Sequence, residues 1–190
     1  MRGGWLLGLG LVTMAVASGC GELGTPHVSS LPRDVHAAPD PTDVAEHPCR
    51  YGDVGRCVAK CEAHDAQACN AAGVMFEFDG GDSSDPALAS GFYTRSCEDS
   101  YAAGCNNLAW LYLRGNGVPQ DQPHAMLLFM AAFDAAKLAC IRGDASNCLL
   151  AGELLYEQHA EEKEGDTAVA FFRKACDGGE PKACQLAADE

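Results

Sequence analysis

The most informative part of the chain is Asn107-Leu-Ala-Trp-Leu-Tyr-Leu-Arg-Gly-Asn-Gly-Val-Pro-Gln-Asp121, which begins as an apolar helix and ends in helix-breaking residues. Gly115, Gly117 and Pro119 lie close together and punctuate local structure. A second apolar, helix-forming pattern follows and runs to Cys140. This stretch therefore predicts a helix, a tight turn and a second helix, which together form one helical hairpin.

Cysteines repeat around this hairpin with a fixed spacing. Of the eleven cysteines, ten form five pairs whose members lie eight residues apart: Cys49 and Cys57, Cys61 and Cys69, Cys97 and Cys105, Cys140 and Cys148, Cys176 and Cys184. Successive first cysteines from Cys61 onward are separated by 36, 43 and 36 residues. The seven extra residues are close to two helical turns, so they lengthen a helix without rotating its buried face.

Each repeat is predicted to contain two antiparallel helices. The first helices are predicted at 68–78, 104–114 and 147–158, and the second helices at 85–97, 122–140 and 166–176. Half-hairpins at 54–61 and 181–188 cap the array, as an open-ended stack requires. The predicted fold is all-α: a short α-solenoid of antiparallel helix-turn-helix repeats cross-linked by disulfides.

Small and aromatic residues recur at matching places in the repeats. Four residues after the second cysteine of a pair stands Gly73, Ala109 or Gly152. In two repeats, two consecutive aromatic residues come shortly before the first cysteine of a pair. They are Phe92 and Tyr93 before Cys97, and Phe171 and Phe172 before Cys176. Small residues let two helices approach closely, and the aromatics fill the space around the contact.

The spacing of each cysteine pair suits a disulfide across a helix-to-helix turn, because antiparallel helices can bring the α-carbons within the roughly 4.4–6.8 Å that a bridge needs. Closing an eight-residue loop contributes about 2.5 kcal/mol in the chain-entropy estimate. The first pair leaves an alternative open, since Cys57 and Cys61 lie four apart on one helix face and could bind a metal. The even number of the remaining cysteines favours the bridge.

The stretch 107–121 resembles the Sel-one-like repeat, a relative of the tetratricopeptide repeat with the pattern Leu-Gly-x-Leu-Tyr-x-x-Gly-x-Gly-Val, an Asp, and a second helix ending in Lys-Ala. Phe171-Phe-Arg-Lys-Ala-Cys176 resembles the end of that second helix. The cysteine spacing is similar to the secreted cysteine-rich branch of the family. The resemblance covers residues 57–190, and the loops 79–85 and 159–165 depart from the pattern.

The N-terminus has the composition of a secretory signal. Arg2 precedes an apolar run over 5–17, and small residues lead to Cys20. This ending resembles the bacterial lipobox, so we expect residues 1–19 to be a lipoprotein signal peptide and Cys20 to carry acyl chains such as palmitate. The alternative is an ordinary cysteine near a conventional cleavage site. Residues 20–48 are predicted to be a disordered tether, and 49–190 the repeat domain.

Charge and the N-terminal signal restrict the partners and the location. Without Arg2 the chain has 12 basic and 27 acidic residues, a net charge of −15. Nucleic acid is excluded as a partner because binding it requires basic residues on phosphates. The membrane is expected to be contacted through the lipid anchor only. Gly21 is not the Asp that resembles an inner-membrane retention signal, which favours the outer membrane, facing the periplasm or the cell surface.

Residue patterns that carry catalysis are absent from the sequence, so we predict no catalytic residues, no metal and no cofactor. The six histidines are predicted to be solvated, and the carboxylates in 79–85 to form turns and caps rather than a calcium site. The alternative function is penicillin binding or β-lactam hydrolysis, which has been ascribed to cysteine-rich relatives. The chain lacks the Ser-x-x-Lys and Lys-Thr-Gly motifs of serine enzymes with that activity.

The favoured function is a protein-protein interaction module, an adaptor or scaffold in the cell envelope that binds a protein or peptide partner. Stacked hairpins present a long surface formed mainly by the first helix of each unit. Six residues of the first helices are candidates for this surface, with burial or capping as the alternative for each: Asn70, Asn106, Asn107, Trp110, Arg114 and Glu153.

Overall fold

The computed structural model describes Cys49 and residues 53–79, 84–161 and 165–188. The predicted signal peptide, Cys20 and the tether lie outside these residues. The described part contains eight α-helices and no strand. The helices are α1 Val54–Glu62, α2 Ala66–Val74, α3 Pro86–Glu98, α4 Ala102–Arg114, α5 Gln122–Ile141, α6 Ala145–Tyr156, α7 Ala168–Asp177 and α8 Pro181–Ala188.

The helices form the predicted stack of hairpins, since each one packs mainly against its neighbours in sequence. The all-α solenoid prediction is therefore confirmed. Helix α5 has 20 residues and its counterpart α3 has 13, so the longer cysteine interval does lengthen the second helix of the middle repeat.

The first predicted helix, at 68–78, is helical throughout, but its end has a different geometry. The α-helix α2 ends at Val74, and one π-helical turn, Met75–Asp79, continues it. In this turn the carbonyl of Phe76 accepts a 2.7 Å hydrogen bond from the backbone N–H of Asp85. The wider turn thus joins the end of the first helix to the start of the second.

Helix starts are fixed by side-chain caps. In six helices the capping oxygen accepts a hydrogen bond from the backbone N–H three residues later, which satisfies one of the N–H groups that a helix leaves unpaired. The caps are Asp53, Asp65, Asp85, Asp121, Asp144 and Thr167. Asp85 thus acts as a cap, as the turn-and-cap interpretation of 79–85 predicted, while residues 80–83 lie outside the described part.

All five cysteine pairs are bridged as nearest neighbours, with α-carbons 4.5–5.0 Å apart. The predicted bridge between Cys49 and Cys57 is among them, so neither Cys57 nor Cys61 is available as the metal ligand considered above. Each of the other four bridges joins the end of one helix to the first turn of the next. The bridges therefore fix the turns on one edge of the stack.

Glycines allow the two helices of a hairpin to touch. A β-carbon on Gly73 would lie 2.5 Å from the ring of Tyr93, and one on Gly152 would lie 2.5 Å from the ring of Phe172. Both rings are buried. The small-residue and aromatic positions that recur in the sequence are therefore one repeated contact between the first and second helices.

The turn after α4 also requires glycine. Gly115 ends the helix with φ 68°, and Gly117 follows with φ 73°. A β-carbon on Gly117 would lie 2.3 Å from the backbone carbonyl carbon of Pro86, so no other residue fits without movement. This turn packs the middle repeat against the start of α3.

Candidate functional site

The candidate site is the face formed by the first helices α2, α4 and α6, here called the first-helix face. Trp110 and Glu153 occupy equivalent places on α4 and α6, each five residues after the second cysteine of a bridge. Their neighbours Leu111 and Leu154 are fully buried, whereas Trp110 and Glu153 are partly exposed. The helices thus turn apolar side chains inward and leave these two at the surface.

Aromatic rings surround Trp110. Its ring meets those of Phe129 and His159 edge to face, with centroids 5.3 and 5.1 Å away. Phe129 and His159 stack on each other at 4.0 Å. The Arg114 guanidinium lies 4.6 Å from the centre of the Trp110 ring, a cation–π contact. The tryptophan is therefore held in one orientation beside an exposed positive charge.

The histidine in this cluster corrects one prediction. His159 was expected to be solvated, but its side chain is only 16% exposed, and it also lies 3.4 Å from a carboxylate oxygen of Glu157. Its ring belongs to the aromatic cluster because residues 157–160 fold back over the end of α6. His64 is 87% exposed, as predicted, and His27, His36 and His47 lie outside the described residues.

Glu153 is the charged group most removed from water on this face. Its side chain is 14% exposed, and the ammonium of Lys182, on α8, lies 2.8 Å from its Oε1. Burial raises the pKa of Glu153, while the hydrogen bond and charge of Lys182 act in the opposite direction. Glu157 and Glu180 also raise it. Acidic groups therefore outnumber the single lysine in this part of the face.

The predicted exposure of Asn106 and Asn107 is wrong, since they are 4% and 8% exposed. Asn107 donates a 2.9 Å hydrogen bond from Nδ2 to Oδ1 of Asn70, which lies in the preceding repeat. A buried amide that is hydrogen-bonded in this way holds α4 against α2. Asn107 therefore lies at a contact between repeats, and for both asparagines the alternative of burial holds.

A second polar contact was not predicted. The Tyr93 hydroxyl donates a 2.8 Å hydrogen bond to Oε2 of Glu77. Burial raises the pKa of Glu77, and the Tyr93 hydrogen bond, the charge of Arg114 and a hydrogen bond from Asn116 lower it. The two partners lie on different helical segments with no shared motif, so nothing in the sequence indicated their contact.

The described residues offer little that resembles a catalytic or metal centre. They contain no cluster of three or more His, Cys, Asp or Glu side chains able to hold a metal ion. The hydroxyls of Ser90 and Ser96 donate to the backbone carbonyls of Ala87 and Ala66, and that of Ser146 donates to Glu180. No serine in this part of the chain is hydrogen-bonded to a lysine or histidine that could activate it.

Comparison with known proteins gives similarities among solved structures only. No family model matches the chain, and no curated protein matches it. The chain is similar to a Sel1 repeat protein from Oxalobacter formigenes, with 19% identity and a TM-score of 0.47 over 65% of this chain and 47% of that one. It is also similar to c5321, a protective antigen present in uropathogenic Escherichia coli strains that displays an SLR fold.

The likeness to c5321 has 23% identity and a TM-score of 0.49, over 72% of this chain and 28% of c5321. The chain thus spans about half, or less, of the length of the two proteins. At these identities the likeness concerns the fold alone.

Proposed function

We propose that this chain is a protein-protein interaction module, an adaptor or scaffold of the bacterial cell envelope, that binds a protein or peptide partner on its first-helix face. Trp110 carries the proposal. It is partly exposed, oriented by Phe129 and His159, and covered on one side by the Arg114 cation. Tryptophan and arginine dominate binding energy at protein interfaces, especially where rigid neighbours exclude water.

Charge favours a partner that presents basic groups. The chain is strongly acidic, and around Glu153 the carboxylates of Glu157 and Glu180 add to its charge while Lys182 is the one basic group that acts on it. Complementary potentials increase association rates and suppress wrong partners. A basic segment of an envelope protein, laid across α4 and α6, suits both the aromatic and the acidic parts of this face.

The location follows from the bridges and the N-terminus. Five disulfides favour an oxidising compartment outside the cytoplasm. A secretory signal that ends in a lipobox-like Cys20 favours anchoring through lipid, and Gly21 favours the outer membrane. The membrane contact of the mature chain is then the acyl group, with the tether 20–48 between lipid and repeats.

Replacing Trp110 tests the binding face. The partner is first captured from envelope extract with the wild-type chain and identified by mass spectrometry, and its affinity is then measured by isothermal titration calorimetry. Trp110→Ala is expected to weaken binding about 10- to 30-fold, the effect of losing a central anchor. Arg173→Ala, an exposed change on α7, serves as the matched control and should bind like wild type.

Two results would contradict this proposal. One is unchanged affinity of Trp110→Ala in a variant whose circular dichroism matches wild type. The other is hydrolysis of nitrocefin by the purified oxidised chain at a rate well above buffer, with one serine replacement removing that rate without unfolding. The second result would establish the hydrolase alternative.

Replacing Cys20 tests the anchor. Cys20→Ser is expected to abolish incorporation of radiolabelled palmitate and to leave a soluble or uncleaved precursor, because serine cannot replace the cysteine that receives the lipid. The wild-type chain should sediment with the outer membrane. Equal palmitate incorporation in both proteins would contradict lipidation of Cys20, and recovery of wild type in the inner-membrane fraction would contradict the outer-membrane location.

A further inference from the structure

Helix α5 has an exposed row of residues that the first-helix face does not use. Leu127, Leu138 and Ile141 are 64%, 55% and 65% exposed, and Met130 beside them is 52% exposed. We call the exposed row at Leu127, Ala131, Asp134, Leu138 and Ile141 the α5 seam. Four large apolar side chains along one helix are unusual for a protein surface that nothing covers.

The opposite side of α5 already fills the core. Phe129, Ala132 and Ala136 are fully buried there. The helix is long and apolar enough, by length and composition, to cross a membrane, yet only 33% of its most apolar stretch of 18 residues is buried in the chain. A helix that is apolar on both sides is normally enclosed on both sides. The seam therefore indicates a second contact, separate from the core contact.

The spacing of the seam indicates what kind of contact this is. Its residues follow one another at intervals of four, three, four and three, the spacing by which two helices pack along a narrow line. The row from Leu127 to Ile141 spans about 21 Å at 1.5 Å per residue. Helices that lie on membranes instead carry a wide apolar face flanked by basic residues. Another helix fits this narrow row better.

The negative charge of Asp134, at the centre of the seam, determines which kind of helix can pack there. It is exposed and forms no ion pair within the described residues, whereas Lys137 beside it is paired with Asp166. A symmetric pairing of two copies in register, parallel or antiparallel, would place Asp134 against its own counterpart, and like charges there oppose association. A basic side chain opposite Asp134 would be attracted instead.

We propose that the α5 seam docks a helix of another protein, one that carries apolar residues at the same four-three spacing and a Lys or Arg opposite Asp134. The surface lies on a second helix and shares none of its five residues with the first-helix face. The seven-residue extension of the middle repeat helps to provide its length. The chain would then hold two partners on two separate surfaces, as a scaffold does.

A charge exchange tests this proposal. Two synthetic helical peptides, each three heptads long with leucine at the seam-facing positions, differ only in a central Lys or Glu. They are titrated into the full chain carrying Cys20→Ser, so that no acyl group interferes. The Lys peptide is expected to bind at least about tenfold more tightly than the Glu peptide, and Asp134→Lys should reverse that order. The double change Leu127→Ser with Leu138→Ser should abolish binding of both peptides.

Three outcomes overturn the proposal. One is equal affinity, or no affinity, of the two peptides for a chain whose circular dichroism is native. The second is a concentration-dependent dimer in analytical ultracentrifugation that Leu127→Ser with Leu138→Ser removes, which makes a second copy the occupant. The third is binding to phosphatidylcholine vesicles that the same pair of changes removes, which makes the membrane the occupant. Trp110→Ala should leave peptide binding unchanged, so failure here is distinguishable from failure of the first-helix face.

Discussion

Removing the bridge between Cys97 and Cys105, by changing both residues to serine, is expected to lower the free energy of unfolding by about 2–5 kcal/mol. Cys105 is 2% exposed and its bridge ties α3 to α4 in the centre of the stack. The loop that the bridge closes restricts the unfolded chain, and its loss frees that chain. Urea unfolding followed by circular dichroism under non-reducing conditions measures the change.

The terminal bridge provides the comparison for this experiment. Changing Cys176 and Cys184 to serine should lower the free energy of unfolding by less than changing Cys97 and Cys105 does. The reason is that α8 has a neighbouring hairpin on one side only. Peptide mapping without reductant should recover the nearest-neighbour pairs from the wild-type chain. A pair crossed between repeats among the last four would contradict the register of the solenoid.

The cysteines also explain why so much of the fold was predictable from sequence. They fix the repeat length, and the breakers and caps between them are local signals that need no tertiary structure. The second helix of the middle repeat was expected at 122–140 and runs over Gln122–Ile141. The π-helical geometry of Met75–Asp79 was not predicted, and the hydrogen bond that its Phe76 carbonyl accepts from the backbone N–H of Asp85 crosses a loop, where no local pattern indicates it.

The candidate site was less predictable, because exposure on a repeat depends on how the next repeat covers it. Trp110 and Glu153 stayed partly exposed, while Asn107 was drawn into the contact with Asn70. The partner of Glu153 is Lys182, which lies in the terminal half-repeat. No spacing rule connects these pairs in a single sequence, so only the packed structure distinguishes a surface residue from an inter-repeat contact.

The two sides of α5 should respond very differently to substitution. Phe129→Ala is expected to lower the free energy of unfolding by about 3–5 kcal/mol, the cost of removing a buried aromatic side chain and leaving a cavity. Phe129 is 0% exposed, and its ring stacks on His159 and touches Trp110. The change should therefore also loosen Trp110, and partner binding to the first-helix face should fall together with stability.

Leu127→Ser, two residues away on the exposed side of the same helix, is the matched control and should change stability by no more than about 0.5 kcal/mol. Urea unfolding of the oxidised proteins measures both variants. Equal losses for the two would mean that α5 is enclosed on both sides within the chain itself, and the α5 seam would not be a free surface. A large loss for Phe129→Ala alone leaves the seam available to another helix, because the side chain of Leu127 then contributes little to the fold of this chain.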